Sequence, residues 1–306
     1  MTIFFAKRLM QALIAMIVVV TIVFLLGRVL GNPVALLLPD EASEEDIVVM
    51  TRQLGLDRPL VTQYFLYMGD LLRGELGKSY ILKGYSVSEL LRPALWNSAR
   101  LAAFSMGVVL IAGLPLGILA AVKRNTPYDY AARVIALGGQ VAPAWWVGIL
   151  AIVLFSIHWN VLPPAGMGGI KHYILPGTVI GLFGVAAVTR LTRSSMLEVL
   201  DSEFVKLARA KGLPWRVVLW KHALRNALIP VVTYGGLLFA GLMTGAIVVE
   251  VVFAWPGLGR VMFDALSYRD FPLMQGAILL GAAIVIFFNF LVDVLYGFID
   301  PRIRYS

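Results

Sequence analysis

Few residues of this 306-residue chain stand where they could do chemistry. The three histidines, His158, His172 and His222, are too scattered to share a metal ion, and no Ser/His/Asp or His/Glu constellation gathers at one place. Cysteine is absent, which removes disulfides, thiolate metal sites and thiol nucleophiles. Gly77-Lys78-Ser79 looks like the tail of a phosphate-cradling loop, but the full pattern requires Gly where Leu72 stands. No ATP site of that kind is therefore expected here. The polar groups with a claim to function are Asn289, within a long apolar stretch, and Glu250 and Asp293, near the ends of such stretches. Polar groups at membrane depth are candidates for a transport pathway by default, although an end position also permits ordinary solvation. The expectation is no catalytic residue, no metal and no cofactor bound by this chain.

The elements that must position these residues follow from composition. With 59% hydrophobic and 14% charged residues, against a globular norm of about 25% charged, the chain cannot hide its apolar side chains in one water-soluble core. Six stretches approach or exceed the roughly 20 residues needed to cross a bilayer. They run from Leu9 to Leu30, Leu101 to Val122, Val134 to Ile157, Tyr173 to Val188, Val231 to Phe253 and Leu273 to Gly297. The first follows Lys7-Arg8 and outlasts the apolar core of a signal peptide, and no small-x-small cleavage site follows it. The predicted organisation is an all-α membrane protein with an N-terminal span over 1–30, an extracytoplasmic helical segment over 31–97, five further spans over 98–297 and a tail over 298–306.

Basic residues orient the spans. With a cytoplasmic N-terminus, fifteen Lys and Arg residues fall inside, from Lys7 and Arg8 to Arg302 and Arg304, against nine outside. The long outside segment is acid-rich, with Asp40, Glu41, Glu44, Glu45 and Asp46 close together. Both termini are then cytoplasmic. The net charge of +8 reads as loop bias facing membrane lipid, and nucleic-acid binding loses its support.

In the outside segment, Ser43-Glu44-Glu45-Asp46 predicts a capping box that starts a helix, and Gly55 predicts its stop. A second helix is predicted from Pro59 to Arg73, with Leu60, Tyr64, Met68, Leu71 and Leu72 near one face and Gly74 ending it. In the inside loop from Thr189 to Ile229, Asp201 or Ser202 can cap a short helix. Phe204, Leu207 and Ala208 recur there at helical spacing, Gly212 can end the helix, and Pro214 can open another. This basic amphipathic helix either rests on anionic lipid or docks into a groove of a cytoplasmic partner. Trp145-Trp146, Gly235-Gly236 and Gly241 are expected to serve helix packing, and Pro115, Pro143 and Pro176 to kink spans.

At this inside loop the sequence resembles the inner-membrane permeases of ATP-binding cassette importers, in particular the oligopeptide and dipeptide branch. That family carries Glu-Ala-Ala, a Gly three residues on and a later Ile-x-Leu-Pro. Here Lys206-Leu207-Ala208 stands in the first place, Gly212 in the second, and His222-Ala223-Leu224-Arg225 replaces the last. The resemblance extends along nearly the whole chain, through Leu54 to Leu60, Leu72 to Gly77, Glu250-Val251-Val252-Phe253-Ala254-Trp255-Pro256-Gly257-Leu258-Gly259-Arg260 and Asp300-Pro301-Arg302.

The resemblance implies a type I importer permease of six spans. In such systems the loop helix inserts into an ATPase and passes nucleotide-driven closure to the spans. Glu203, Lys206, Ala208, Arg209, Ala210, Lys211 and Gly212 would be the coupling segment, with Arg209 and Lys211 pairing with acidic groups on the ATPase rim. The implied partners are a second, related permease, two cytoplasmic ATPases that hydrolyse the ATP, and an extracytoplasmic substrate-binding protein, with peptides or similar small solutes as cargo. The alternative, a secondary transporter or channel, calls for a coupling carboxylate well inside a span or an inverted repeat.

Overall fold

The computed structural model describes residues 2–29, 34, 38, 43–244 and 246–299. Among them the chain folds as helices: α1 (Thr2–Val29), α2 (Glu44–Gln53), α3 (Leu60–Leu72), α4 (Val87–Val122), α5 (Pro127–Val141), α6 (Ala144–Ala151, continued by a π-helical stretch over Ile152–His158), α7 (Lys171–Leu200), α8 (Glu203–Ala210), α9 (Trp215–Thr244, with a π-helical stretch over Val218–Ala223), α10 (Ile247–Val252), α11 (Leu258–Ser267) and α12 (Phe271–Ile299). The Asp300-Pro301-Arg302 motif and the rest of the predicted tail beyond 299, with Arg302 and Arg304, lie outside the described residues, as do Asp40 and Glu41.

Five helices, α1, α4, α7, α9 and α12, are long and apolar enough to cross a membrane. The predicted third span is not one straight helix. Its arms, Pro127–Gly139 and Ala144–His158, meet at 94°, and as one broken span they make the sixth. The cause is local: Ala142 precedes a proline and takes an extended conformation (φ −93°, ψ 143°), and Pro143 then caps α6. Pro115 and Pro176, by contrast, sit inside the continuous helices α4 and α7.

Several spans outrun the apolar stretches that predict them. Helix α4 begins at Val87, within the predicted extracytoplasmic segment, because Ser86 and Glu89 form a capping box there. Helix α7 runs on to Leu200 and α9 starts at Trp215, so the predicted inside loop from Thr189 to Ile229 shrinks to α8 and its two flanks. The predicted fifth span to Phe253 ends at Thr244, and α10 resumes at Ile247.

Helices α4 and α7 pack most closely. A Cβ on Gly117 would lie 2.5 Å from Thr192 Cβ and 2.8 Å from the Thr189 carbonyl oxygen, so only glycine lets the backbones meet there. The Thr189 hydroxyl donates to the Gly113 carbonyl at 3.3 Å. Of the glycines expected to pack, Gly236 faces Val292 of α12, whereas nothing lies within 4 Å of a Cβ on Gly235 or Gly241. Trp145 and Trp146 are exposed rather than packed inside, because both fall on the outer side of the short α6. Helix α1 is peripheral and leans on α12 and α3. Gln275 donates to the Val23 carbonyl at 3.3 Å, and the Thr21 and Tyr64 hydroxyls lie 2.9 Å apart. From the predicted face of α3, Met68 and Leu71 reach the apolar cluster around Val20 and Val23 with Tyr67, while Leu60 and Leu72 are exposed.

Candidate functional site

Helix α8 has the local signals its sequence predicts. Ser202 takes the N-cap position, although its hydroxyl turns back to donate to the Val199 carbonyl at 2.5 Å instead of capping. Gly212 adopts φ +76° and its N–H donates to the Arg209 carbonyl at 2.9 Å, closing the helix in the left-handed conformation that glycine favours.

The buried face of α8 keeps Ala208 of the three predicted residues but not the other two. Val205 and Ala208 are buried against Val218 of α9 and beside Val199 and Leu200 at the end of α7. Phe204 and Leu207 point the other way and are 45% and 56% exposed. A lone helix of this length is unstable in water, and here it is held by two side chains wedged between the ends of two spans. Ala208 is buried as its spacing predicts, but its partner on the inner face is Val205 in place of Phe204 and Leu207.

The charged members of the segment are on the surface. Lys206 Nζ lies 2.8 Å from Glu203 Oε1, and this pairing holds the Lys206 ammonium above its ordinary range. The Arg209 guanidinium lies 5.2 Å from the centre of the Trp215 ring, a cation–π contact within the chain. Ala210, Lys211 and Gly212 are exposed, and Ala208 is the buried member of the set.

Below α8 the ends of the spans are tied together. Ala121 of α4, Met196 of α7 and Leu219, Ala223 and Ala227 of α9 form one buried cluster. Asp129, fully buried at the start of α5, receives two hydrogen bonds of 2.9 Å from Arg193 of α7 and lies 3.1 Å from Arg133. Helix α8 thus rests on α7 and α9, which are in turn tied to α4 and α5. Asp129 and Arg193 escaped the sequence reading because 64 residues separate them.

The pathway candidates scatter. Glu250, on α10, is fully buried and accepts hydrogen bonds from the Ser98 hydroxyl at 2.6 Å, the Gly259 N–H at 2.7 Å and the Arg260 N–H at 3.2 Å. Its carboxylate thus joins α4 to the N-terminus of α11, where backbone amides and the helix dipole favour a negative charge. Trp255 beside it is fully buried and donates from Nε1 to the Asn97 carbonyl at 3.1 Å. Asp293 lies 3.3 Å from Arg8, joining α12 to α1. Asn289 is exposed on α12. Asn289 and Asp293 lie one turn apart on α12, whereas Glu250 is held between α4 and α11.

Ser79, from the rejected phosphate-loop tail, instead holds Asp270. The hydroxyl donates to the Asp270 carboxylate, joined by the Tyr80 N–H at 3.2 Å. Asp270 also accepts from the Leu273 N–H at 3.4 Å at the start of α12. Among the described residues no group of three His, Cys, Asp or Glu side chains is placed to hold a metal.

Fold and site together define a multi-span helical permease of the type I importer class. The family described as binding-protein-dependent transport system inner membrane component matches residues 113–305, and the N-terminal membrane component of the same systems matches residues 1–84. The chain belongs to this family and is a permease subunit of an ATP-binding cassette importer. It is 38% identical to the dipeptide transport system permease protein DppB of Alkalihalophilus pseudofirmus, over 98% of this chain and 99% of that one. It is 41% identical to the glutathione transport system permease protein GsiC of Escherichia coli O6:H1, over 98% of each. Among solved structures, the inward-facing MetNI methionine transporter shares the fold with a TM-score of 0.59 at 18% identity, covering 69% of this chain and 96% of that one.

Proposed function

We propose that the chain forms one half of the translocation pathway of an importer for dipeptides, oligopeptides or similar small solutes, and that α8 is where the motor attaches. The observation that carries this reading is the pair Phe204 and Leu207, apolar and exposed on a short helix whose opposite face is packed on the ends of two spans. Such a helix transmits force from whatever covers its open face. A cytoplasmic ATPase fits: the apolar pair fills its groove, and Arg209 and Lys211 pair with acids on its rim. Glu203, Lys206, Ala208, Ala210 and Gly212 complete the segment, the small residues permitting close approach.

The assembly consists of this chain, a second related permease, two ATPases that bind and hydrolyse ATP, and an external binding protein that selects the solute. Both termini lie on the cytoplasmic side with α8, as the distribution of Lys and Arg supports. Peptide cargo rests on the likeness to dipeptide permeases over nearly the full length.

The experiment is purification of the tagged chain from its native membrane in mild detergent, followed by reconstitution with the external binding protein and a labelled dipeptide. Copurification of a second permease with two ATPases, and vanadate-sensitive uptake that needs ATP and the binding protein, are expected. Uptake driven by a proton gradient with this chain alone would make it a secondary transporter.

A further inference from the structure

The cap formed by α2 and α3 contains a basic cavity that the transport reading does not use. Arg28 ends the α1 span, Arg52 lies in the last turn of α2, and Arg58 follows just before α3. All three line one cavity of about 280 Å³ with Gln63, Tyr67 and Asp70. Although Asp70 is present, none of the three arginines forms an ion pair among the described residues. Arg28 Nε is buried with no hydrogen-bond partner there, and the Arg28 guanidinium lies 5.1 Å from the centre of the Phe24 ring. Burial pushes the Tyr67 phenol up to about 12 against a downward pull from Arg28, so it stays a neutral hydroxyl that can donate. Among the described residues lining it, three guanidinium groups stand against one carboxylate, a charge balance that suits an anion.

Its position selects the kind of anion. The α1 span from Phe5 to Arg28 has 24 residues, which at about 1.5 Å each reach some 36 Å, slightly more than the roughly 30 Å hydrocarbon layer. Arg28 therefore arrives at headgroup level. Apolar side chains stand exposed around it, Ile22, Leu25 and Leu26 on α1, Val48 and Val49 on α2, and Val61 and Phe65 on α3, while the exposed acids of α2, Glu44, Glu45 and Asp46, sit in its first turn, at the far end from Arg52. Short helices with such faces lie in the membrane interface. Arginine's planar fork suits phosphate oxygens. We infer that this cavity holds the phosphate of an anionic phospholipid in the leaflet on the cap side, with α2 and α3 lying in the interface beside it.

The test is native mass spectrometry of the assembled transporter, released from nanodiscs in which phosphatidylglycerol is titrated into phosphatidylcholine. The wild-type complex should retain phosphatidylglycerol on this chain after the loosely held lipids are stripped. The Arg28→Gln/Arg52→Gln/Arg58→Gln variant should hold it more weakly, by roughly fivefold for each arginine removed. Arg124→Gln/Arg216→Gln, at the opposite end, should behave as wild type. If the triple variant fails to assemble, Arg52→Gln alone, altering an exposed side chain, should still show the fivefold loss. Equal retention in all variants would overturn the inference. So would binding of inorganic phosphate alone at the same arginines without lipid retention, or loss of the external binding protein with lipid retention unchanged.

Discussion

The two ends of the bundle solve opposite problems. Where α4, α10, α11 and α12 meet at the cap end, and apart from the arginine cavity beside α1, buried polar groups are satisfied within the chain: Glu250 takes three donors, Asp270 is held by Ser79 and neighbouring amides, and Trp255 finds the Asn97 carbonyl. At the α8 end, the apolar side chains of Phe204 and Leu207 stand in the open beside exposed charges. Buried hydrogen bonds that are costly to break make an end rigid, whereas exposed apolar surface next to charge makes an end ready for a partner. The α8 end is not soft, since Asp129 and Arg193 brace it from below. The difference lies in what each end leaves for another molecule.

The contrast can be broken first at Glu250. Glu250→Ala removes the acceptor of three hydrogen bonds in a dry site, and a loss of about 3 kcal/mol of stability is expected. It would appear as a lowered thermal midpoint of the purified complex in detergent, and an unchanged midpoint would mean that the cap end is not held as described. Next, Phe204→Ser with Leu207→Ser should leave that midpoint alone and reduce ATPase copurification on the order of thirtyfold, in the manner of lost hot-spot anchors. Full recovery of the ATPases would separate α8 from motor attachment.

Charge reversal sharpens the same point. Arg209→Glu with Lys211→Glu should leave membrane insertion intact and weaken ATPase attachment by roughly tenfold, more at low salt than at high. Salt-independent loss would point to a folding defect instead. The smallest effect is expected from Glu203→Ala. The Glu203–Lys206 pair is exposed to solvent, so neither the melting midpoint nor copurification should change measurably. A large change would show that a partner buries this pair.

Local signals in the chain were good guides to local structure. The capping box at Ser43 and Asp46 forms as read, and Gly55, Gly74 and Gly212 all take the left-handed conformation that ends a helix. Each depends on a few neighbouring residues, so the information lies in one stretch of sequence. The candidate site was legible to the same degree: the place and limits of α8 follow from Ser202, Gly212 and Pro214. Its inner face did not, because Phe204 and Val205 are both apolar and only the positions of α7 and α9 decide which is covered. The same holds for Leu60 and Leu72 on α3, whose exposure reflects where α1 lies.

By itself, the sequence determined that this protein belongs to a membrane, which stretches are apolar enough to cross it, where α2, α3 and α8 begin and end, and, through motifs spread along the chain, which family it belongs to. Hydropathy over a window and cap chemistry over one turn are properties of neighbours in the chain, so they can be read there. The tertiary structure alone decided that Glu250 and Asp293 are bonded to different helices, that Ser79 holds Asp270, and that Asp129 receives Arg193. Those contacts join residues separated by 191 positions for Ser79 and Asp270 and 64 for Asp129 and Arg193. Packing brings them together, and no periodicity in one segment records the position of another.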